Sequence, residues 1–244
     1  MFKFLSFVII SMTTILVYET SQGKPHEIAI KHDADVVAIE EEVVETEAMP
    51  TLTTQEQQAE MVVLPTISEF DTIMRKVGEE QGQDWRLMSA IAYNETRFRE
   101  DLVSKRGAVG IMQIRPVVAR HFNVPVEQLA DTETNVRLAG MLLSELEGML
   151  KLPATTPTVD RLSIILASYN AGIGHIHDAC RLARAEGANP HSWEDVSRYL
   201  KLMAEPEYYN KEEVRHGKFN GSGQTLGYVR EVMKMYHEYC TIAS

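Results

Sequence analysis

The pattern of apolar and polar positions is helical along most of the chain. Between Ser68 and Gln81, apolar side chains recur at the three- and four-residue spacing that places them on one helix face. Gly82 is expected to end this helix, and Asp84 to cap the next one. No run of alternating residues predicts a strand, so residues 65–244 are expected to form one mostly α-helical domain. The same periodicity predicts further helices at 133–150, 161–171, 175–186, 193–203 and 225–239.

The helix after Asp84 carries the first candidate for chemistry. Met88, Ile91, Ala92 and Glu95 fall on one face, which is otherwise apolar. A carboxyl group at the edge of an apolar face is partly desolvated, and desolvation raises its pKa. Glu95 is therefore a candidate proton donor near neutral pH, the alternative being an ordinary solvated glutamate in the last helical turn.

The N-terminus has the pattern of an export signal. A short basic start precedes an apolar run from Phe4 to Tyr18, which is shorter than the roughly 20 residues that span a bilayer. Small residues follow, so we expect a signal peptide at residues 1–23 and a location in the periplasm or cell envelope. If the segment is not cleaved, it acts as an anchor and the protein is membrane-associated.

The acidity of the chain is concentrated in the segment that follows. Residues 24–60 hold ten acidic and two basic residues and no aromatic one, which predicts a disordered acidic linker at residues 24–64. The alternative is a short strand at residues 36–39. From Met61 onward the net charge is only −3, so the folded part is not basic and nucleic acid is not expected as a partner.

Three glycine-bearing segments lie between the predicted helices. Residues 107–114 contain two glycines three apart, which permit tight turns, followed by the amide of Gln113. Residues 167–172 end an apolar helix with Tyr169 and Asn170, and a buried asparagine needs hydrogen-bond partners. In the third segment, residues 227–229, Tyr228 either packs in the core or stacks on a ligand.

Taken in order, these motifs resemble the soluble lytic transglycosylase (SLT) domain. In that family the pattern runs Glu-Ser, Gly-Leu-Met-Gln, Ala-Tyr-Asn-Ala-Gly and a late Tyr-Val. This chain has Asn-Glu-Thr-Arg-Phe, Gly-Ile-Met-Gln, Ser-Tyr-Asn-Ala-Gly and Gly-Tyr-Val. The resemblance covers roughly residues 68–239, and the segment from Tyr208 to Tyr236 looks most like the C-terminal domain of membrane-bound lytic transglycosylase F. Thr96 and Ile111 replace the usual Ser and Leu, which are mild departures.

The resemblance implies a lysozyme-like fold that cleaves the glycan strands of peptidoglycan. Glu95 matches the single catalytic acid and base, Asn170 the residue that orients it, and Tyr228 the late tyrosine beside it. The substrate-binding residues carried over are Thr96, Met112, Gln113, Tyr169, Asn170 and Tyr228.

The expected reaction breaks the β-1,4 bond between MurNAc and GlcNAc and leaves a 1,6-anhydro-MurNAc end. The alternatives are a hydrolytic muramidase on the same fold, which needs a second acid or a held water, and a peptidoglycan-binding scaffold without catalysis. Glu100 and Asp101 lie near Glu95 in sequence, but in a loop without an obvious inward face.

Further expectations concern ligands and partners. His175 and His177 are two apart on a helix and face different ways, so neither a metal nor another cofactor is predicted. Cys180 and Cys240 form either a disulfide or two free thiols. We expect a monomer, with cell-envelope proteins as possible partners. Members of the F type carry a binding-protein-like domain ahead of the catalytic one, and we expect regulation by such a domain to be absent here.

Overall fold

The computed structural model describes residues 66–243, so the predicted signal peptide and acidic linker lie outside the described residues. Within this part the chain is helical, and its only β-type pairing consists of isolated antiparallel bridges between residues 103, 109 and 114. The prediction of a mostly α-helical fold is confirmed. The helices are α1 (Asp71–Gln81), α2 (Trp85–Thr96), α3 (Pro116–His121), α4 (Thr132–Leu150), α5 (Thr158–Ala171), α6 (Ile173–Ala185), α7 (Trp193–Leu202), α8 (Pro206–Tyr209) and α9 (Ser222–Ile242), with a 3₁₀ helix at Val126–Ala130 between α3 and α4.

The first two helices begin and end at signals present in the sequence. Gly82 terminates α1 in the left-handed conformation, with φ of 66°. The Asp84 side chain caps α2 by accepting the Arg86 backbone N–H at 2.9 Å. The α1 helix begins three residues later than predicted, because the Asp71 carboxylate accepts the N–H groups of Ile67 and Ser68 and holds them in a turn.

Helices α2 and α5 form the centre of the core. The α2 helix packs against α9 and α1, whereas α5 contacts α4, α6, α7 and α9. The core-facing side chains of α2, among them Met88, Ile91 and Ala92, are fully buried. Met149 is 46% exposed, because it lies in the last turn of α4 before Lys151 ends the helix. Helices α2 and α5 therefore belong to a single continuous core.

Cys180 and Cys240 are both free thiols in this structure. Cys180 lies in α6 and Cys240 in α9. Burial raises the pKa of the Cys180 thiol to about 11, so this group stays protonated at neutral pH. The sequence left open a disulfide or two free thiols, and the structure contains two free thiols.

The loop between α2 and α3 is held by one buried side chain, Asn135 of α4. Its Oδ1 accepts the Met112 N–H at 2.9 Å, and its Nδ2 donates to the carbonyls of Val109 and Leu129 at 2.9 and 3.0 Å. Gly110 passes so close that a Cβ atom there would lie 2.6 Å from Nδ2, and its φ of 77° also disfavours a side chain. The α2–α3 loop is thus joined to α4 by hydrogen bonds, and the two segments pack too closely for a side chain at position 110.

We predict that Asn135→Ala destabilises the protein by roughly 3 kcal/mol, since the Met112 N–H and the Leu129 carbonyl lose this partner and the Val109 carbonyl keeps only the Ile114 N–H. Urea unfolding measured by circular dichroism would give this difference. Asn210→Ala is the matched control, because the exposed Asn210 side chain, just after α8, donates only to the carbonyl of Pro206 at the start of that short helix. A loss at Asn135 no larger than the loss at Asn210 would contradict the central role of this side chain.

Candidate active site

A cavity of about 570 Å³ opens beside the C-terminal end of α2. The Glu95 side chain lines it, together with Gln113 of the α2–α3 loop and with Tyr169 and Asn170 at the end of α5. Three segments that are far apart in sequence therefore meet at one opening. The structure thus brings together four residues that the motifs predicted to lie in one site.

Glu95 lies at the boundary between the core and this cavity. Burial raises the pKa of its carboxyl group from 4.5 to about 7, and the neighbouring Tyr228 hydroxyl lowers it, offsetting part of that increase. Protonated and ionised forms of the carboxyl group are consequently both populated near neutral pH. Such a group can donate a proton and, once ionised, accept one.

The Tyr228 hydroxyl faces Glu95 from α9 beneath the cavity. The tyrosine is 8% exposed, and its buried oxygen has no hydrogen-bond partner among residues 66–243. Burial and the charge of Glu95 both raise the pKa of this phenol. Tyr228 is therefore a neutral donor directed at the carboxyl group, and it does not stack on the cavity surface.

The α5–α6 junction forms another wall of the cavity. The Tyr169 hydroxyl donates to the Met112 carbonyl at 2.8 Å and so ties α5 to the α2–α3 loop. The Asn170 Oδ1 accepts the Thr225 hydroxyl of α9 at 3.0 Å, and no hydrogen bond joins Asn170 to Glu95 within the described chain. The predicted orienting contact is thus replaced by a contact to Thr225, although Asn170 still lines the cavity.

Gln113 is fixed in an uncommon backbone conformation. Its φ is 51°, and its N–H donates to the Gly110 carbonyl at 3.0 Å across a tight turn. The side-chain Nε2 donates to the carbonyls of Gly110 and Leu102 at 3.0 and 3.2 Å. The amide nitrogen is thereby engaged within the loop, which leaves the amide oxygen as an acceptor for the cavity.

Thr96 and Met112 correct the expectation that their side chains line the cleft. Thr96 is 2% exposed, and its hydroxyl donates to the Ile111 carbonyl at 3.0 Å, joining α2 to the loop from behind. One residue along a helix is a rotation of about 100°, so Thr96 cannot share the cavity face with Glu95. The Met112 side chain is fully buried in the core, and the residue is not part of the cavity lining.

Two residues that hold parts of the cavity wall in place, Thr225 and Asn135, were not predicted from the sequence. Thr225 holds Asn170, and its position one turn before Tyr228 on the inward face of α9 is a signal that could have been noticed. Asn135 holds the loop, and it stands four residues before Ala139 in the apolar stripe of α4. A polar residue in an apolar stripe commonly has specific buried partners. Within residues 66–243, no three His, Cys, Asp or Glu side chains are grouped as a metal site.

The fold and this cavity define a class of protein: a helical domain with one partly buried carboxylic acid in an open cleft. Residues 72–192 match the family model described as the transglycosylase SLT domain. The chain therefore contains a transglycosylase SLT domain.

Curated relatives resemble a larger part of the chain. The membrane-bound lytic murein transglycosylase F of Marinobacter nauticus is 32% identical over 167 residues, which is 68% of this chain and 32% of that protein. The protein of the same name from Alcanivorax borkumensis is 31% identical over 167 residues, covering 68% of this chain and 34% of its own length. This chain thus spans about a third of the length of these relatives.

Solved structures are more distant. The 70 kDa soluble lytic transglycosylase of Escherichia coli is 21% identical, covers 70% of this chain and 24% of that chain, and has a TM-score of 0.45.

We predict that the contribution of Glu95 to the stability of the protein falls as the pH rises from about 4.5 to about 7. The folded state holds the Glu95 proton more tightly than the unfolded state does, so raising the pH through this interval favours unfolding. Relative to Glu95→Gln, the wild type should lose on the order of 2 kcal/mol between pH 4.5 and pH 8, allowing for the opening of the cavity to solvent. Urea unfolding at both pH values would measure it, and parallel curves for the two proteins would contradict the raised pKa.

Proposed function

We propose that this protein is a peptidoglycan lytic transglycosylase in which Glu95 is the single catalytic acid and base. The observation that carries the proposal is that Glu95, with its pKa raised to about 7, is the only carboxylate among the described residues that line the cavity. The SLT domain at residues 72–192 and the names of the curated relatives support the same substrate and reaction.

The two other acids near Glu95 in sequence belong to a different surface. Glu100 and Asp101 line a separate depression between the α2–α3 loop and the start of α4. The Glu100 carboxylate there accepts a hydrogen bond from the Thr132 hydroxyl. Most glycosidases that hydrolyse use a pair of carboxylates flanking the scissile bond. The absence of a second acid from the described cavity lining favours a mechanism with one carboxyl group and disfavours the hydrolytic muramidase.

The first half of the proposed reaction uses protonated Glu95. Its proton passes to the oxygen that bridges MurNAc and GlcNAc, and the bond from the anomeric carbon to that oxygen breaks. The substrate's own acetamide oxygen bonds to the anomeric carbon in place of a second enzyme carboxylate. Glu95 is left ionised, and the nearby Tyr228 hydroxyl favours this charged form, as its lowering effect on the Glu95 pKa indicates.

The second half uses Glu95 as a base. The carboxylate takes the proton of the C6 hydroxyl of MurNAc, and that oxygen bonds to the anomeric carbon as the acetamide leaves. The product is a 1,6-anhydro ring, and Glu95 is protonated again. The C6 hydroxyl belongs to the same sugar, so it acts at an intramolecular effective concentration that water cannot match if water is held away.

The cavity walls support the positioning that this reaction needs. Tyr169 and Asn170 are both fixed by hydrogen bonds to other segments, so the wall opposite Glu95 keeps its shape. The Gln113 amide oxygen is an acceptor for a sugar hydroxyl or acetamide N–H. We therefore assign Gln113, Tyr169 and Asn170 to substrate binding, and we assign Thr96 and Met112 to holding the loop.

The proposed place of action is the cell envelope, where peptidoglycan is found and to which the names of the relatives point. The described helices include none with the length and apolar character required of a membrane span. Export through the N-terminal segment remains part of this proposal.

We predict that Glu95→Gln lowers the turnover of purified sacculi at least a thousandfold, because glutamine keeps the size of the side chain and loses the proton. Asn170→Ala should lower turnover less, since it disturbs the wall and the Thr225 contact but not the proton transfer. Release of soluble muropeptides would be the measure. Retention of a tenth of the activity by Glu95→Gln would contradict its role, and a wild type with no turnover would indicate a non-catalytic scaffold.

We predict further that the wild-type product ends in 1,6-anhydro-MurNAc. This end is lighter than the hydrolysed end by one water, so mass spectrometry separates the two products. Digestion in ¹⁸O-labelled water provides the control, because the anhydro ring takes up no solvent oxygen. Reducing ends that carry ¹⁸O would instead establish a muramidase.

A further inference from the structure

The Asn170 side chain is held at one end only. Its Oδ1 accepts the Thr225 hydroxyl at 3.0 Å, whereas its Nδ2 has no partner among residues 66–243. Asn170 also lines the cavity that contains Glu95. The two ends of an amide have opposite hydrogen-bonding character, because the oxygen accepts and the nitrogen donates. The end that faces Thr225 therefore determines which kind of group is left for a ligand.

The Thr225 hydroxyl selects one of the two orientations that this amide can take. Thr225 is 2% exposed, and the contact with Asn170 is its only side-chain hydrogen bond within the described chain. In the reversed orientation Nδ2 would face the hydroxyl as a second donor, and the hydroxyl proton would be buried without an acceptor. Burying an unpaired donor is unfavourable, so the observed orientation is the stable one.

The orientation of Asn170 complements that of Gln113, the other amide in the cavity lining. The Gln113 Nε2 donates to two carbonyls of its own loop, so the Gln113 oxygen is the free end. At Asn170 the oxygen is engaged and the nitrogen is the free end. The cavity therefore presents one amide acceptor and one amide donor, and a glycan strand carries groups that match both.

The contact between α5 and α9 does not require this hydroxyl for its packing. The two helices pack against each other, and both contribute apolar side chains to one core, among them Ile164 and Leu166 of α5 and Val229 and Val232 of α9. All four side chains are buried. A threonine hydroxyl at the cavity end of this contact adds direction to Asn170 where apolar packing alone would leave the amide free to rotate.

We propose that Thr225 is a positioning residue for substrate binding, whose hydroxyl holds the Asn170 amide so that its N–H groups donate to an acceptor oxygen of the bound glycan. The proposal rests on the function proposed above and adds a residue to its binding machinery. Thr225 is not part of the cavity lining and acts through Asn170. Without the hydroxyl, the amide takes both orientations, and the donor faces the glycan in only some of the molecules.

The test is a double-mutant cycle on soluble glycan strands, with the full-length protein. Thr225→Val replaces the hydroxyl with a methyl group, Thr225→Ser keeps the hydroxyl, and Asn170→Ala removes the amide. The double variant Thr225→Val, Asn170→Ala completes the cycle. Thr156→Val is the matched control, because Thr156 is also buried but its hydroxyl has no partner in the described part of the chain and does not line the cavity.

We expect Thr225→Val to lower kcat/KM about tenfold and mainly through KM, because the amide binds the glycan and takes no part in proton transfer. Thr225→Ser should stay within about twofold of the wild type, since it keeps the donor. In the Asn170→Ala background, Thr225→Val should cause no further loss, because the residue through which it acts is gone. The pH dependence of kcat should be the same in Thr225→Val, Thr156→Val and the wild type.

A further variant tests the direction of the amide. In Asn170→Asp the carboxylate still accepts the Thr225 proton but offers no N–H to the glycan. We expect its KM to rise as much as that of Asn170→Ala. A wild-type KM in Asn170→Asp would overturn the proposal that the N–H groups bind the glycan.

A purely structural Thr225 would give a different pattern. Its replacement by valine would lower the urea midpoint, and the loss of activity would persist in the Asn170→Ala background, which overturns the positioning role. A wild-type KM in Thr225→Val also overturns it, while cleavage itself still supports the transglycosylase. If Thr225→Val does not fold, Thr225→Ala takes its place in the cycle. A wild type that cleaves no glycan overturns the proposed function and the positioning role with it.

Discussion

The desolvation of the Glu95 carboxyl group is the interaction on which the site depends. A carboxyl group with an ordinary pKa would be ionised at neutral pH and could not protonate a leaving group. The apolar face of α2 supplies the burial, and α9 supplies the Tyr228 hydroxyl that keeps the ionised form accessible. The inner face of α2 must therefore be packed in the core, while its last turn, which carries Glu95, must be accessible from the cavity.

The opening at that last turn is maintained by the α2–α3 loop and its buried anchor. Asn135 fixes the loop through three hydrogen bonds, and Gly110 allows the loop to approach α4 closely. Thr96 joins the same loop to the end of α2. A single loop thus brings the Gln113 amide and the side chains of Lys105, Arg106 and Arg115 to the lining of the same cavity as Glu95.

Individual residues show where prediction from the sequence succeeded and where it failed. Helical periodicity put Glu95 in line with Met88, Ile91 and Ala92 and made it a candidate, and the structure places it in the lining of the cavity. Thr96 and Met112 were misplaced because motif matching carries residue identity but not the direction of a side chain. Asn170 was placed at the cavity correctly, yet its partner is Thr225, 55 residues away, a distance at which local patterns carry no information.

By itself, the sequence determined the helices, most of their boundaries and Glu95 as a candidate acid, because spacing, caps and glycines act over a few residues. It also determined a motif order that resembles one family. Only the tertiary structure decided the pKa of Glu95, since burial depends on how α9 and the loop pack around α2. It likewise decided that Lys105, Arg106 and Arg115 share one wall, because a backbone bridge sets that proximity and the residues themselves follow no periodic pattern.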